Sequence, residues 1–210
     1  MFAGIATAIL ITAFFKLIIQ GMLVKYTADL HQGVEKPSLK DSFSHALSRF
    51  LPLLGATLLM ILIILGIVVA VGIGIMHVLA LIFTSAGTGN VLLIIAGVLI
   101  VLLIMIVLII IITTYFRVIT QSIMLEDSGA VQSLKRSWYL VKGRWWLTFL
   151  LGIVIAIVTG IIVAIGGAIA SLADIFIVSM VISTIINAII SPIEIIAFTL
   201  WFFDLKAIKG

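Results

Sequence analysis

Apolar residues occupy this chain in five long runs, separated by polar stretches at 25–50, 84–90, 113–144 and 171–176 and followed by a polar end at 204–210. Each run exceeds the roughly 20 residues that a helix, rising about 1.5 Å per residue, needs to cross a hydrocarbon core about 30 Å thick. Backbone groups in lipid must satisfy one another, and the alternation of a membrane barrel is missing, so the runs are expected to be helices. The expected spans are Phe2–Val24, Leu51–Phe83, Val91–Thr114, Trp145–Ala170 and Ile177–Phe203. Tilt, a kink near Gly72 and Gly74, or an extension past His77 would absorb the excess length of the second, and Pro192 should bend the fifth.

Two of the polar stretches carry a helical period of their own. After a loop at Thr27–Pro37, Ser38 stands as an N-cap with Asp41 at the third helical position. Leu39, Phe43, Ala46, Leu47 and Phe50 then share one face, opposite Lys40, Asp41, His45 and Arg49, as in a helix lying in the membrane interface. The third span is expected to continue as helix through Arg117 into the headgroups. Beyond it Glu126, Asp127 and Ser128 suit the positive end of a second amphipathic helix. Its apolar stripe is Val131, Leu134, Trp138 and Val141, with Lys135, Arg136 and Lys142 off the stripe and Gly143 as its stop. Arg144, Trp145 and Trp146 anchor the start of the next span. The two helices align through Ala46/Ser133, Leu47/Leu134 and Arg49/Arg136, a pattern suggestive of duplication.

Charge orients this arrangement. Eleven of the twelve lysines and arginines lie in 25–50, 113–144 and 204–210, and none in the two remaining gaps. Basic flanks stay on the cytoplasmic side, so a cell-membrane protein with its N-terminus outside and C-terminus inside is expected. A composition 64% hydrophobic and 10% charged, with mean hydropathy +1.48, excludes an ordinary soluble domain. The net charge of +4 sits beside membrane spans, which points to an anionic leaflet rather than nucleic acid. There is no cysteine, hence no disulfide framework or thiol chemistry. The first run has no basic segment ahead of it and is read as a retained span.

Three groups of residues carry the candidate chemistry. Lys16 and Glu194 lie roughly 14 and 15 Å in from the same boundary, counting about 1.5 Å per residue, and at that matched depth could pair. With Asn187 and the carbonyls freed by Pro192, Glu194 could alternatively line an intramembrane polar pocket. Lys135, Arg136, Lys142 and Arg144 are candidates for lipid headgroups. Gly152, Ala156, Gly160, Ala164 and Ala168 follow Thr148 at four-residue steps, a ridge suited to close helix packing. His31, His45 and His77 are scattered, with no metal-ligand spacing; the first two are expected to be solvated and the third to mark the outer boundary.

The stretch from Leu125 to Trp146 resembles a motif of prokaryotic multi-pass proteins related to the membrane domain of glycerophosphoryl diester phosphodiesterase. Glu126, Gly129, Ser133, Leu134, Arg136, Ser137, Leu140 and Gly143 occupy its places, with Ser133 departing from the usual alanine. The end from Leu200 to Gly210, with Trp201–Phe203 and Asp204, looks like the same families' aromatic and acidic ending. The resemblance implies a helical membrane fold, from which this sequence is expected to depart in having no attached phosphodiesterase domain and in lacking an N-terminal span often seen in longer relatives.

An all-α integral membrane protein follows, with five transmembrane helices and two amphipathic helices on the cytoplasmic face. No cofactor, metal or catalytic constellation is expected. The leading functional expectation is a non-enzymatic module that binds anionic lipid or organises a membrane-protein partner. A small transporter or permease subunit using Lys16, Asn187 and Glu194 is the competing class, and a regulatory anchor for a separately encoded lipid enzyme is a third.

Overall fold

The computed structural model describes residues 2–85, 91–171 and 176–209, and the described elements are all helices. In chain order they are α1 (Phe2–His31), α2 (Leu39–Ser48), α3 (Phe50–Ser85), α4 (Val91–Tyr115), α5 (Ile119–Leu125), α6 (Ala130–Val141), α7 (Trp145–Ser171) and α8 (Phe176–Lys209). Five stretches, in α1, in α3, from α4 into α5, in α7 and in α8, are long and apolar enough to cross a membrane. This is an all-α, multi-pass membrane protein. The expected turn at 84–90 and link at 171–176 lie largely outside the described residues.

Three helix boundaries differ from the sequence expectation, each for a local reason. α1 runs on past Val24 to His31, its added turn carrying a Lys25–Asp29 ion pair of 2.6 Å at the favourable four-residue spacing. It ends where Gly33 takes φ 85°, while the amide of Val34 closes back on the carbonyl of Asp29 at 3.0 Å. α4 does not continue through Arg117. It stops at Tyr115, whose carbonyl accepts a 2.8 Å hydrogen bond from Ser137 and whose ring stacks on Trp138 at 3.9 Å between centroids. The chain turns there into α5, a short buried helix. α8 carries the expected polar tail in helical form as far as Lys209, with Phe202 and Leu205 fully buried.

The helices form two compact units, one of Met1–Ala56 with Tyr115–Gly210 and the other of Thr57–Thr114. The second unit is almost wholly apolar. Its α3 portion passes through Gly72 and Gly74 as unbroken helix, so that α3 as a whole, at 36 residues, is about 54 Å long. Thr113 and Thr114 satisfy their hydroxyls within the unit by donating to the carbonyls of Ile109 and Ile110, each at 2.7 Å.

The first unit converges on small residues. A Cβ placed on Gly21 of α1 would lie 3.1 Å from Met124 Sδ, 3.2 Å from Ala46 Cβ and 3.3 Å from Leu53 Cδ1, so this glycine lets α1, α2, α5 and the start of α3 meet. Its core is the fully buried set Val118, Leu140, Val141, Phe202 and Leu205, ringed by Tyr115, Leu125, Trp145 and Trp201. α2 buries its small residues Ser42 and Ala46, whereas α6 buries Ser133 and Ser137 together with Leu140 and Val141, so that Val141 of the expected apolar stripe lies in the core instead. Leu39, Phe43 and Leu47, like Val131 and Trp138, are exposed. Each of these short helices thus leaves large apolar side chains exposed in the single chain.

Candidate functional site

The polar chemistry of the first unit gathers where α5 turns into α6. α5 ends at Leu125, and Asp127 takes φ 55°, a left-handed conformation that aspartate tolerates better than most residues. The adjacent acids Glu126 and Asp127 then face different helices. Arg136 of α6 donates from Nε to Glu126 Oε2 and from Nη2 to Oε1, both at 2.8 Å, in the forked geometry that suits a carboxylate. Lys206 of α8 adds a third cationic contact at 3.3 Å. Asp127 pairs instead with Arg49 at the end of α2, which also reaches its carbonyl.

A second bond reinforces the link to α2. His45 Nε2 lies 3.0 Å from the carbonyl of Met124, and since a carbonyl can only accept, Nε2 carries the proton. The acidic corner therefore ties α2, α6 and α8 together. Burial pushes the Glu126 carboxyl up, but hydrogen bonds and charge from Arg136 and Lys206 outweigh it and hold the group below its ordinary value. The hydrogen bonding it donates to Glu126 is the main reason the Arg136 guanidinium is raised in turn.

The tail of α8 closes the other end of α6. Lys209 Nζ donates to the carbonyl of Tyr139 at 2.6 Å and to that of Lys142, and sits 5.2 Å from the centre of the Tyr139 ring. The last carbonyls of a helix lack intrahelical donors and carry the negative end of its dipole, so a lysine is the fitting partner. Beside the acidic corner, Glu126, Ser128, Gln132, Lys135, Arg136 and Tyr139 line an open groove of about 550 Å³.

A family model described as domain of unknown function DUF7847 matches residues 1–205. The chain belongs to this family. The DUF7847 match takes in both short amphipathic helices and the acidic corner except for Lys206, and it stops just short of Lys206 and Lys209. No curated protein and no solved structure matches the chain.

The residues singled out in this DUF7847 sequence are dispersed rather than gathered at one site. Glu194 is bound by Arg117 at 2.6 Å, not by Lys16, and Arg117 also lies over the Phe198 ring at 4.7 Å. Matched depth put Lys16 and Glu194 at one level but said nothing about direction around the helix, and Lys16 is exposed on α1. The side chain of Asn187 lies outside the described residues. Of the basic set, Lys135 and Lys142 are exposed and Arg144 half-buried, whereas Arg136 is engaged by Glu126. Along the ridge of α7, buried Thr148 accepts from the Trp201 indole at 3.0 Å, and Gly152 faces Phe198 of α8. Ala156, Gly160, Ala164 and Ala168 are exposed in the single chain.

Sequence reasoning missed the corner itself. Glu126 and Asp127 were assigned to the dipole of α6, yet the N-cap of that helix is Gly129 with no side-chain cap bond. The available signal was that these are the only two adjacent acidic residues in the chain. His45 and His31 are likewise not simply solvated: one bonds the Met124 carbonyl and the other packs its ring 4.7 Å from that of Phe203. Among the described residues, no three His, Asp or Glu side chains gather as metal ligands.

Proposed function

We propose that this chain is a non-catalytic membrane module that holds anionic lipid headgroups against α6 on the cytoplasmic face. The observation that carries the reading is the order of residues around α6. At about 100° per residue, Lys135 and Lys142 fall between the exposed apolar pair Val131 and Trp138 and the polar groove, which is the depth of the phosphates for a helix lying in the interface. Arg144 follows at the start of α7. Arg136, neutralised within the protein, serves structure instead.

Each exposed basic residue near an anionic surface contributes on the order of 1 kcal/mol. Replacing Lys135, Lys142 and Arg144 together with glutamine should therefore weaken the preference for anionic over zwitterionic lipid around the purified protein by a factor of about 100. Lipid-to-protein energy transfer in mixed nanodiscs measures it, and an unchanged preference would discard the proposal. Cysteines at Lys36 and Thr88 should label from opposite sides of intact cells, Thr88 from outside. The kinship with membrane domains of glycerophosphoryl diester phosphodiesterase, suggested by the two motifs, belongs to the same reading. A transport pocket on Glu194 has less support, because Arg117 already occupies that carboxylate.

A further inference from the structure

The groove beside α6 is more specific than a charged surface. Ser128, Gln132, Lys135, Arg136 and Tyr139 recur at spacings that bring them to one face of the helix and its lead-in, and Glu126, bound to Arg136, completes the lining. Two cations, Arg136 and Lys206, already satisfy the one carboxylate, so Glu126 does not repel an incoming anion. Lys135 is left over: it is exposed, and among the described residues no carboxylate lies within ion-pair distance of it. Gln132 and the Tyr139 phenol line the same groove as neutral hydrogen-bonding groups, as does buried Ser128, whose hydroxyl accepts from that of Ser122 at 3.3 Å. A volume of about 550 Å³ falls inside the range of small-ligand sites, roughly 300–1,000 Å³.

We infer that this groove is a site for one phosphate ester, its charge met by Lys135 and its alcohol part by Gln132, Ser128 and Tyr139. The inference rests on the lipid-binding reading and sharpens it from a surface to a place. Arg136 contributes through its position, since Glu126 fixes the guanidinium along the groove wall. Because Lys135 borders the headgroup depth, the ester can be that of a membrane lipid, and a soluble phosphate ester shares the same chemistry.

The test uses the full chain purified in detergent, with phosphatidylglycerol titrated and bound lipid counted by native mass spectrometry. Lys135→Gln should weaken the tightest binding step about fivefold or more, while Lys135→Arg retains it. The uncharged pair of changes Gln132→Ala with Tyr139→Phe should also weaken that step about fivefold, since two hydrogen bonds are removed. If Q132A with Y139F leaves binding untouched while K135Q, K142Q and R144Q each reduce it alike, the groove inference falls and the surface reading stands. If phosphatidylglycerol binds no better than phosphatidylcholine and no variant matters, both fall. With the expected losses in hand, displacement of the lipid by inorganic phosphate assigns the groove to soluble esters, and retention assigns it to the lipid.

Discussion

Arg136 holds Glu126 through two parallel hydrogen bonds of 2.8 Å, and the adjacent Asp127 is held by Arg49 from a different helix. Arg136 lies in the middle of α6 and Arg49 caps the end of α2, so two different helices each grip one half of a single acidic pair. That relationship yields the most direct tests of how the basic end is held.

Glu126→Gln should lower stability by about 1–3 kcal/mol, because the half-buried guanidinium of Arg136 keeps its donors and loses its counter-charge. A carboxyl held below its ordinary value of 4.5 lends stability above that value and loses it as pH falls through the folded one. Melting of the wild type in detergent should thus fall in acid more steeply than that of E126Q, and the two should converge. A gap that persists unchanged well into acid would show that the carboxylate charge is not what Arg136 needs.

Asp127 separates backbone from charge. Asp127→Asn keeps a side chain suited to φ 55° and removes the pair with Arg49, an exposed bridge whose loss should change stability by at most about 1 kcal/mol. Asp127→Ala loses both and should be worse by a further 1 kcal/mol or so, with Asp127→Gly recovering that increment. Thermal melting of the three variants ranks them, and equal losses for alanine and glycine would remove the backbone contribution.

The partner of Glu194 can be read from a double-mutant cycle. Arg117→Met and Glu194→Gln should be non-additive by about 1 kcal/mol, whereas Lys16→Met with Glu194→Gln should add within error. Coupling to Lys16 instead would restore the pairing inferred from depth.

Glycines on α1 and α7 should respond oppositely. Gly21→Val drives a branched side chain against Ala46, Met124 and Leu53 and should destabilise by about 1–3 kcal/mol. Gly160→Ala meets nothing within 4 Å among the described residues and should be neutral or stabilising by up to about 1 kcal/mol. Melting curves in one detergent suffice, and a loss at Gly160 would mean that another chain packs there.

The spans were legible in the sequence because lipid permits few alternatives: a run of apolar residues longer than a bilayer is thick leaves little to decide. Ser38 was legible for a different reason, since capping is local; its hydroxyl accepts from the Asp41 amide at 3.2 Å as the spacing implies. α5 was not legible. Its sequence, ITQSIML, has no Gly, Pro or side-chain cap to mark it off from the helix before, and the break falls where Ser137 of another helix donates to the Tyr115 carbonyl. The tail of α8 was hidden likewise, because its helical form depends on Phe202 and Leu205 packing against α6. Depth along a helix can be counted from sequence, but the direction a side chain takes around it depends on neighbours, and so Glu194 received the wrong partner.

The lysines that close the tail also set a sequence of events during synthesis. Asp127 emerges from the ribosome after Arg49 has already been made, 78 residues earlier, and Glu126 meets Arg136 only 10 residues later. Lys209 reaches the carbonyl of Tyr139 across 70 residues, after two further spans have entered the membrane. The ends of α6 are thus secured at different times, one almost at once and the other only when the end of α8 arrives, and a nascent chain stalled before α8 would present α6 held at its beginning and loose at its end.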